Sequence, residues 1–172
     1  MKKLTTLVAL VATATCVIAA AHRTAEPSGL RLDVVKRLAG DWVPVGEDGR
    51  PTETVMSTVK VTAGGSAVLE ILFPGTDHEM VTVYHEDGPH LMLTHYCVKG
   101  NQPRMRALPE STEKRVVFRL TDGTNMKSEK DAHMHQGTIV WESDDHIRTE
   151  WLMYENGEQT YAAKFNLMRK TK

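Results

Sequence analysis

The clearest regularity in this chain is an alternation of apolar and polar positions with a period of two. Val116, Phe118 and Leu120 oppose Arg115 and Arg119, and near the C-terminus Tyr161, Ala163, Phe165 and Leu167 oppose Lys164 and Asn166. Successive side chains of a strand point to opposite faces, so the pattern predicts strands with one buried face. Segments rich in Val, Thr, Ile, Tyr and Trp follow Gly40. They are separated by Asp48-Gly49, Gly64-Gly65, Pro74-Gly75, Asp87-Gly88 and Asn156-Gly157, pairs that tolerate the backbone of a tight reversal. Reading between these turns places ten strands near 41–45, 52–62, 67–73, 79–85, 90–98, 104–108, 115–121, 133–142, 146–155 and 159–168. The stretch 122–132 reads as an irregular connection holding a short helix or a flap.

After the first 21 residues only one segment follows a helical period. Leu30, Val34 and Leu38 recur every four positions, with Ser28 placed to cap the start and Gly40 to end it. Consecutive hairpins form a meander, and a long meander closes into a barrel because closure removes both exposed edges. The expected fold is therefore all-β: an antiparallel up-and-down barrel of about eight to ten strands with one short N-terminal helix plugging an end. An open sandwich is the alternative.

At the N-terminus, Lys2 and Lys3 precede an apolar run from Leu4 to Ala21 that ends in Ala19-Ala20-Ala21. A charged start, an apolar core and a small-residue end describe a secretory signal peptide. The run sits at or below the roughly 17 to 25 residues that a spanning helix needs. The expected organisation is a signal peptide over 1–21, a tail over 22–29 and one domain over 30–172. The mature protein would be exported to the periplasm or the medium, with no membrane span.

Loss of the leader takes two lysines and no acid from a chain of 21 basic and 22 acidic residues, which leaves a balance of −3. That charge does not attract nucleic acid or an anionic membrane surface. Cys16 would leave with the leader, and Cys97 alone cannot form an internal disulfide.

Leu38-Ala39-Gly40-Asp41-Trp42 puts a Gly-x-Trp at the start of the first strand, just after a short helix. This resembles the lipocalins and the wider calycin barrels. In lipocalins the tryptophan closes the barrel floor and an arginine near the end of the last strand packs across it; the resemblance assigns these roles to Trp42 and Arg169. A second likeness covers 64–107, in Gly65-Ser66-Ala67-Val68-Leu69-Glu70, Glu79-Met80-Val81-Thr82-Val83-Tyr84-His85, Thr94-His95-Tyr96-Cys97 and Gly100-Asn101-Gln102-Pro103-Arg104-Met105. These segments resemble a family of uncharacterised bacterial exported proteins with lipocalin-like domains. The resemblance implies an architecture and brings no catalytic residues.

The chemistry-bearing residues are few. Glu70 interrupts the apolar strand Val68-Leu69-Glu70-Ile71-Leu72, and a buried carboxylate needs a cation or donors. Arg104 and Arg106, on one face of a nearby strand, are the expected partners. His133 and His135, two apart on a strand, share a face, and in a barrel His85 or His95 could join them in a metal or haem site. His95 and Cys97 are likewise two apart, but no third group orients them as a nucleophile and base. Glu142, Asp144 and Asp145 cluster around a turn and read as a solvated loop rather than a catalytic carboxylate pair, and no segment reads convincingly as a glycine-rich phosphate loop, so the sequence favours a binding protein over an enzyme. The expected site is a partly polar cavity contacted by Glu70, Tyr84, His95, Arg104, His133 and His135, holding a small molecule. The alternatives are a histidine-based haem- or metal-binding protein or enzyme, and a structural envelope protein with a filled barrel.

Overall fold

The computed structural model describes residues 26–171, and the expected signal peptide lies outside them. Ten strands follow one helical turn, α1 (Asp33–Lys36): β1 (Gly40–Pro44), β2 (Ser57–Thr62), β3 (Ala67–Leu72), β4 (Met80–Asp87), β5 (His90–Tyr96), β6 (Gln102–Ala107), β7 (Arg115–Thr124), β8 (His133–Ser143), β9 (His146–Glu155) and β10 (Glu158–Arg169). Each pairs antiparallel with its neighbours in sequence, and β1 pairs with β10, so the sheet is a closed up-and-down barrel. Among the described residues no helix is long and apolar enough to cross a membrane.

The turn chemistry works as read. Gly49, Gly64, Gly65, Gly75, Gly88 and Gly157 all have positive φ, and Asn156 joins Gly157 there, the paired conformation of a two-residue hairpin turn. The longer connection 122–132 contains no helix, because β7 continues to Thr124 before the chain turns at Asn125, φ 55°. The helix is also shorter than its periodicity suggested. Ser28 accepts only the Leu30 N–H, at 3.3 Å, and the helix starts later without a side-chain cap of its own. Glu86, at the β4–β5 hairpin, takes that role by accepting the Leu32 N–H at 2.8 Å, and it also pairs with Arg31.

Leu32, Val34, Val35 and Leu38 enter the core beside Trp42, so this segment closes one end of the barrel. Trp42 is fully buried and donates its Nε1–H to the Leu38 carbonyl at 2.8 Å. The Arg169 guanidinium lies 4.4 Å from the indole centroid, within cation–π range. It also donates to the carbonyls of Arg37 and Asp144 at 2.9 and 2.7 Å. Residue 40 must be glycine for this closure: its φ is 134°, and a Cβ there would stand 2.9 Å from Arg169 Nη1. The Trp42–Arg169 pairing expected from the resemblance is therefore formed.

Candidate functional site

The end opposite α1 is not filled by the described residues. A cavity of about 490 Å³ opens there, within the size range of small-molecule sites. Its buried part is formed by Leu72 of β3, His95 of β5 and Trp151 of β9, its wall by Met134, Ala163 and Phe165, and its exposed rim by Thr76, His78 and Tyr161. The alternation of β10 produces much of this lining, since Tyr161, Ala163 and Phe165 occupy every second position. No lysine, arginine, aspartate or glutamate lines it among the described residues.

Two backbone features shape the cavity. Phe73 has φ 54°, a left-handed conformation that costs an ordinary residue about 1 to 2 kcal/mol. Its N–H donates to the Met56 carbonyl at 2.7 Å and its own carbonyl accepts the Thr76 hydroxyl at 2.8 Å, which holds the turn. The Phe73 ring meets Phe165 edge-on at 5.8 Å. On the other side, Trp151 lies across Gly137, where a Cβ would come within 3.1 to 3.3 Å of the indole carbons. Glycine at 137 lets Trp151 sit against the sheet and meet the His95 ring at 4.9 Å.

His95 is 1% exposed. Its Nδ1 lies 2.9 Å from the Thr82 hydroxyl, while its buried Nε2 has no partner among the described residues. Burial pushes the imidazole pKa down to about 4, so the ring is neutral at physiological pH.

Glu70 and Tyr84 belong to the closed half of the barrel. The Glu70 carboxylate accepts the Ser57 hydroxyl at 2.8 Å and the Tyr84 hydroxyl at 2.7 Å, beside a void too small for a ligand. Burial raises the Glu70 pKa, against the opposing pull of the two hydroxyl donors. Tyr84 is pushed well above its ordinary value by burial and then by the Glu70 charge. The expected ion pair with Arg104 or Arg106 does not form. Met105 and Ala107 take the inward positions of β6, which turns both arginines outward, and Arg104 pairs with Asp122 of β7 on the outer surface.

His133 and His135 do converge, but on each other. His133 Nε2 lies 3.1 Å from His135 Nδ1, His133 Nδ1 meets the Asp131 carbonyl at 2.6 Å, and His135 stacks on Tyr154 at 4.3 Å. A register shift between Met134 and Gln136 accompanies this, and Met134 rather than either histidine lines the cavity. The His135 pKa is lowered, first by burial and then by His133 and Arg119. His85 is held apart, its Nδ1 3.3 Å from the Glu86 carbonyl. Among the described residues no three His, Cys, Asp or Glu side chains are grouped to hold a metal ion. Cys97 is free and buried.

The six residues singled out from sequence thus occupy three places: Glu70 and Tyr84 in the closed core, His95 at the cavity, and Arg104, His133 and His135 outside it. Sequence reasoning missed Ser57, Thr82, Trp151 and the aromatic pair Phe73–Phe165. The glycine inside β8 was a readable signal for Trp151, because a strand glycine often marks the close approach of another group.

The fold and site define a class: a closed ten-stranded antiparallel β-barrel, plugged at one end and carrying an apolar cavity at the other. A scan against protein-family models finds no match to this chain, and a search of the curated proteins finds none.

Proposed function

We propose that this protein is an exported, lipocalin-like binding protein that carries a small, mainly apolar molecule in the open end of its barrel. The observation that carries the reading is the cavity itself, built from Leu72, Phe73, Trp151 and Phe165 and bounded by a strained turn and a strand glycine. An envelope protein with a purely structural barrel would fill this end as α1 and Trp42 fill the other. Covering apolar surface of this kind is favourable at about 25 cal/mol per Å² of area removed from water, which gives an apolar ligand its driving force. Export rests on the leader-like pattern of residues 1–21.

The haem or metal alternative has fewer residues behind it than the sequence offered, because His133 and His135 pair with each other and do not line the cavity, which leaves His95 and the rim His78 as the histidines on it among the described residues. Native mass spectrometry of the purified protein separates these readings. A co-purifying organic molecule lost on denaturation supports the binding reading. A Soret band or stoichiometric metal supports the alternative, and a bare chain that also takes up no added apolar molecule overturns both.

A further inference from the structure

One buried polar atom at the cavity has no protein partner among the described residues, and its chemistry narrows what the cavity takes. His95 is 1% exposed, it is one of the residues that line the cavity, and Nε2 is its unpartnered atom among the described residues. The tautomer follows from hydrogen-bond accounting. Thr82 is fully buried, and its hydroxyl has one partner among the described residues, His95 Nδ1 at 2.9 Å. If the hydroxyl donates to Nδ1, every hydrogen of the pair is used except the one on Nε2. If Nδ1 carried the proton, the Thr82 hydroxyl hydrogen would be buried without an acceptor, which is unfavourable. Nε2 therefore bears the proton and is an unpaired N–H donor, among the described residues, on a side chain that lines the cavity.

That donor stands in a site with no formal positive charge. Neither lysine nor arginine lines the cavity among the described residues, and the only other titratable groups on it are His78 and Tyr161, at the rim. A carboxylate or phosphate drawn into it would be desolvated without a counter-ion, a large penalty. An uncharged oxygen acceptor needs only the one N–H. We propose that His95 Nε2 anchors the polar head of the ligand, and that the ligand is an apolar molecule carrying an uncharged carbonyl, as in a ketone, ester or amide. This rests on the reading of the cavity as a binding site, and gives His95 the positioning role in it.

The test uses three matched probes, octane, octan-2-one and octanoate, each competing at pH 7.5 with the fluorescent amine N-phenyl-1-naphthylamine on the full chain. The wild type is expected to prefer octan-2-one over both others, by about tenfold over octane, the equivalent of one satisfied buried donor. His95→Leu is expected to abolish that preference while keeping octane affinity. Thr82→Val, which leaves the imidazole in place but frees its tautomer, is expected to weaken the preference and serves if His95→Leu fails to fold. Equal binding of octane and octan-2-one, or tighter binding of octanoate, would overturn the anchor assignment and leave the cavity reading standing. Failure of all three probes and of the fluorescent amine would overturn the cavity reading itself.

Discussion

The environment of Glu70 makes a sharp prediction because two bonding schemes for the same carboxylate call for opposite results. In the ion-pair scheme that the sequence suggested, Glu70→Gln strands a buried cation and costs about 3 to 5 kcal/mol. Among the described residues the carboxylate has only hydroxyl donors, Ser57 and Tyr84, and no cation. Glutamine fills nearly the same volume, and its carbonyl oxygen, with two lone pairs, still offers an acceptor to the buried hydroxyls. The substitution also removes the cost of holding a desolvated charge.

The sign with pH follows. Because the folded-state pKa of Glu70 is raised, the folded protein binds more protons than the unfolded chain above the ordinary carboxyl range. Its contribution to stability is therefore lost as pH rises from the unfolded pKa through the folded one. Glu70→Gln should lie within about 1 kcal/mol of wild type at pH 5 and should equal or exceed it at pH 8, as expected when only a hydrogen-bond partner is exchanged. Glu70→Ala should behave differently, since both buried hydroxyls lose their acceptor at about 1 to 3 kcal/mol each, for a loss of about 2 to 6 kcal/mol. Urea denaturation at both pH values, with unchanged m, measures these differences. A loss of 3 kcal/mol or more for the glutamine variant at pH 8 would refute the all-hydroxyl scheme, since that is the cost of an abandoned cation.

Other substitutions probe the rest of the barrel. Trp42→Ala should cost about 3 to 5 kcal/mol by urea denaturation, as the deletion of a fully buried aromatic does; a loss under 1 kcal/mol would place the indole outside the core. Gly137→Ala should displace Trp151, read as a change in near-ultraviolet circular dichroism together with a loss of about 1 to 3 kcal/mol from overpacking; an unchanged spectrum and stability would mean that the indole does not rest on that glycine. His95 carries a depressed pKa of about 4, so below the ordinary histidine range the unfolded chain takes up a proton that the folded protein refuses. Stability from this group is complete above about pH 6.5 and is lost as pH falls towards about 4. His95→Leu should flatten this part of the acid denaturation profile, and an unaltered profile would count against a buried neutral imidazole.

How much of this was legible in the sequence can be read from particular residues. The turn pairs marked five of the nine strand connections because φ > 0 is a local requirement that few residues meet cheaply. Period-two alternation then oriented β7 and β10 correctly. Glu70 was readable as inward-facing from its apolar flanks, but its partner was not, because that depends on register. Pairing β3 with β2 and β4 sets Glu70 opposite Val59 and Thr82 and brings Ser57 and Tyr84 onto the carboxylate diagonally. The outward turn of Arg104 and Arg106 was available in the alternation with Met105 and Ala107, which the appeal of a buried ion pair obscured. For His133 and His135 the shared face was right and its side was not evident, since the register shift at Met134 resets which residues look inward. The cavity had no local signature at all: it is what remains when ten strands close around fewer side chains than the circle can hold.

The central claim is that the open end of the barrel holds an apolar molecule, and it is tested most directly by filling that space from within. Ala163 lines the cavity on β10, opposite Trp151 of β9 in the sheet. Ala163→Phe adds a ring to the cavity without touching the α1–Trp42 closure. Fluorescence titration with N-phenyl-1-naphthylamine, run on wild type and on this variant with folding verified by far-ultraviolet circular dichroism, gives the answer. The account expects saturable binding to the wild type and at least a tenfold weaker affinity in the folded variant, a change of about 1.4 kcal/mol. Equal affinity in the two proteins would place the probe elsewhere and contradict the account.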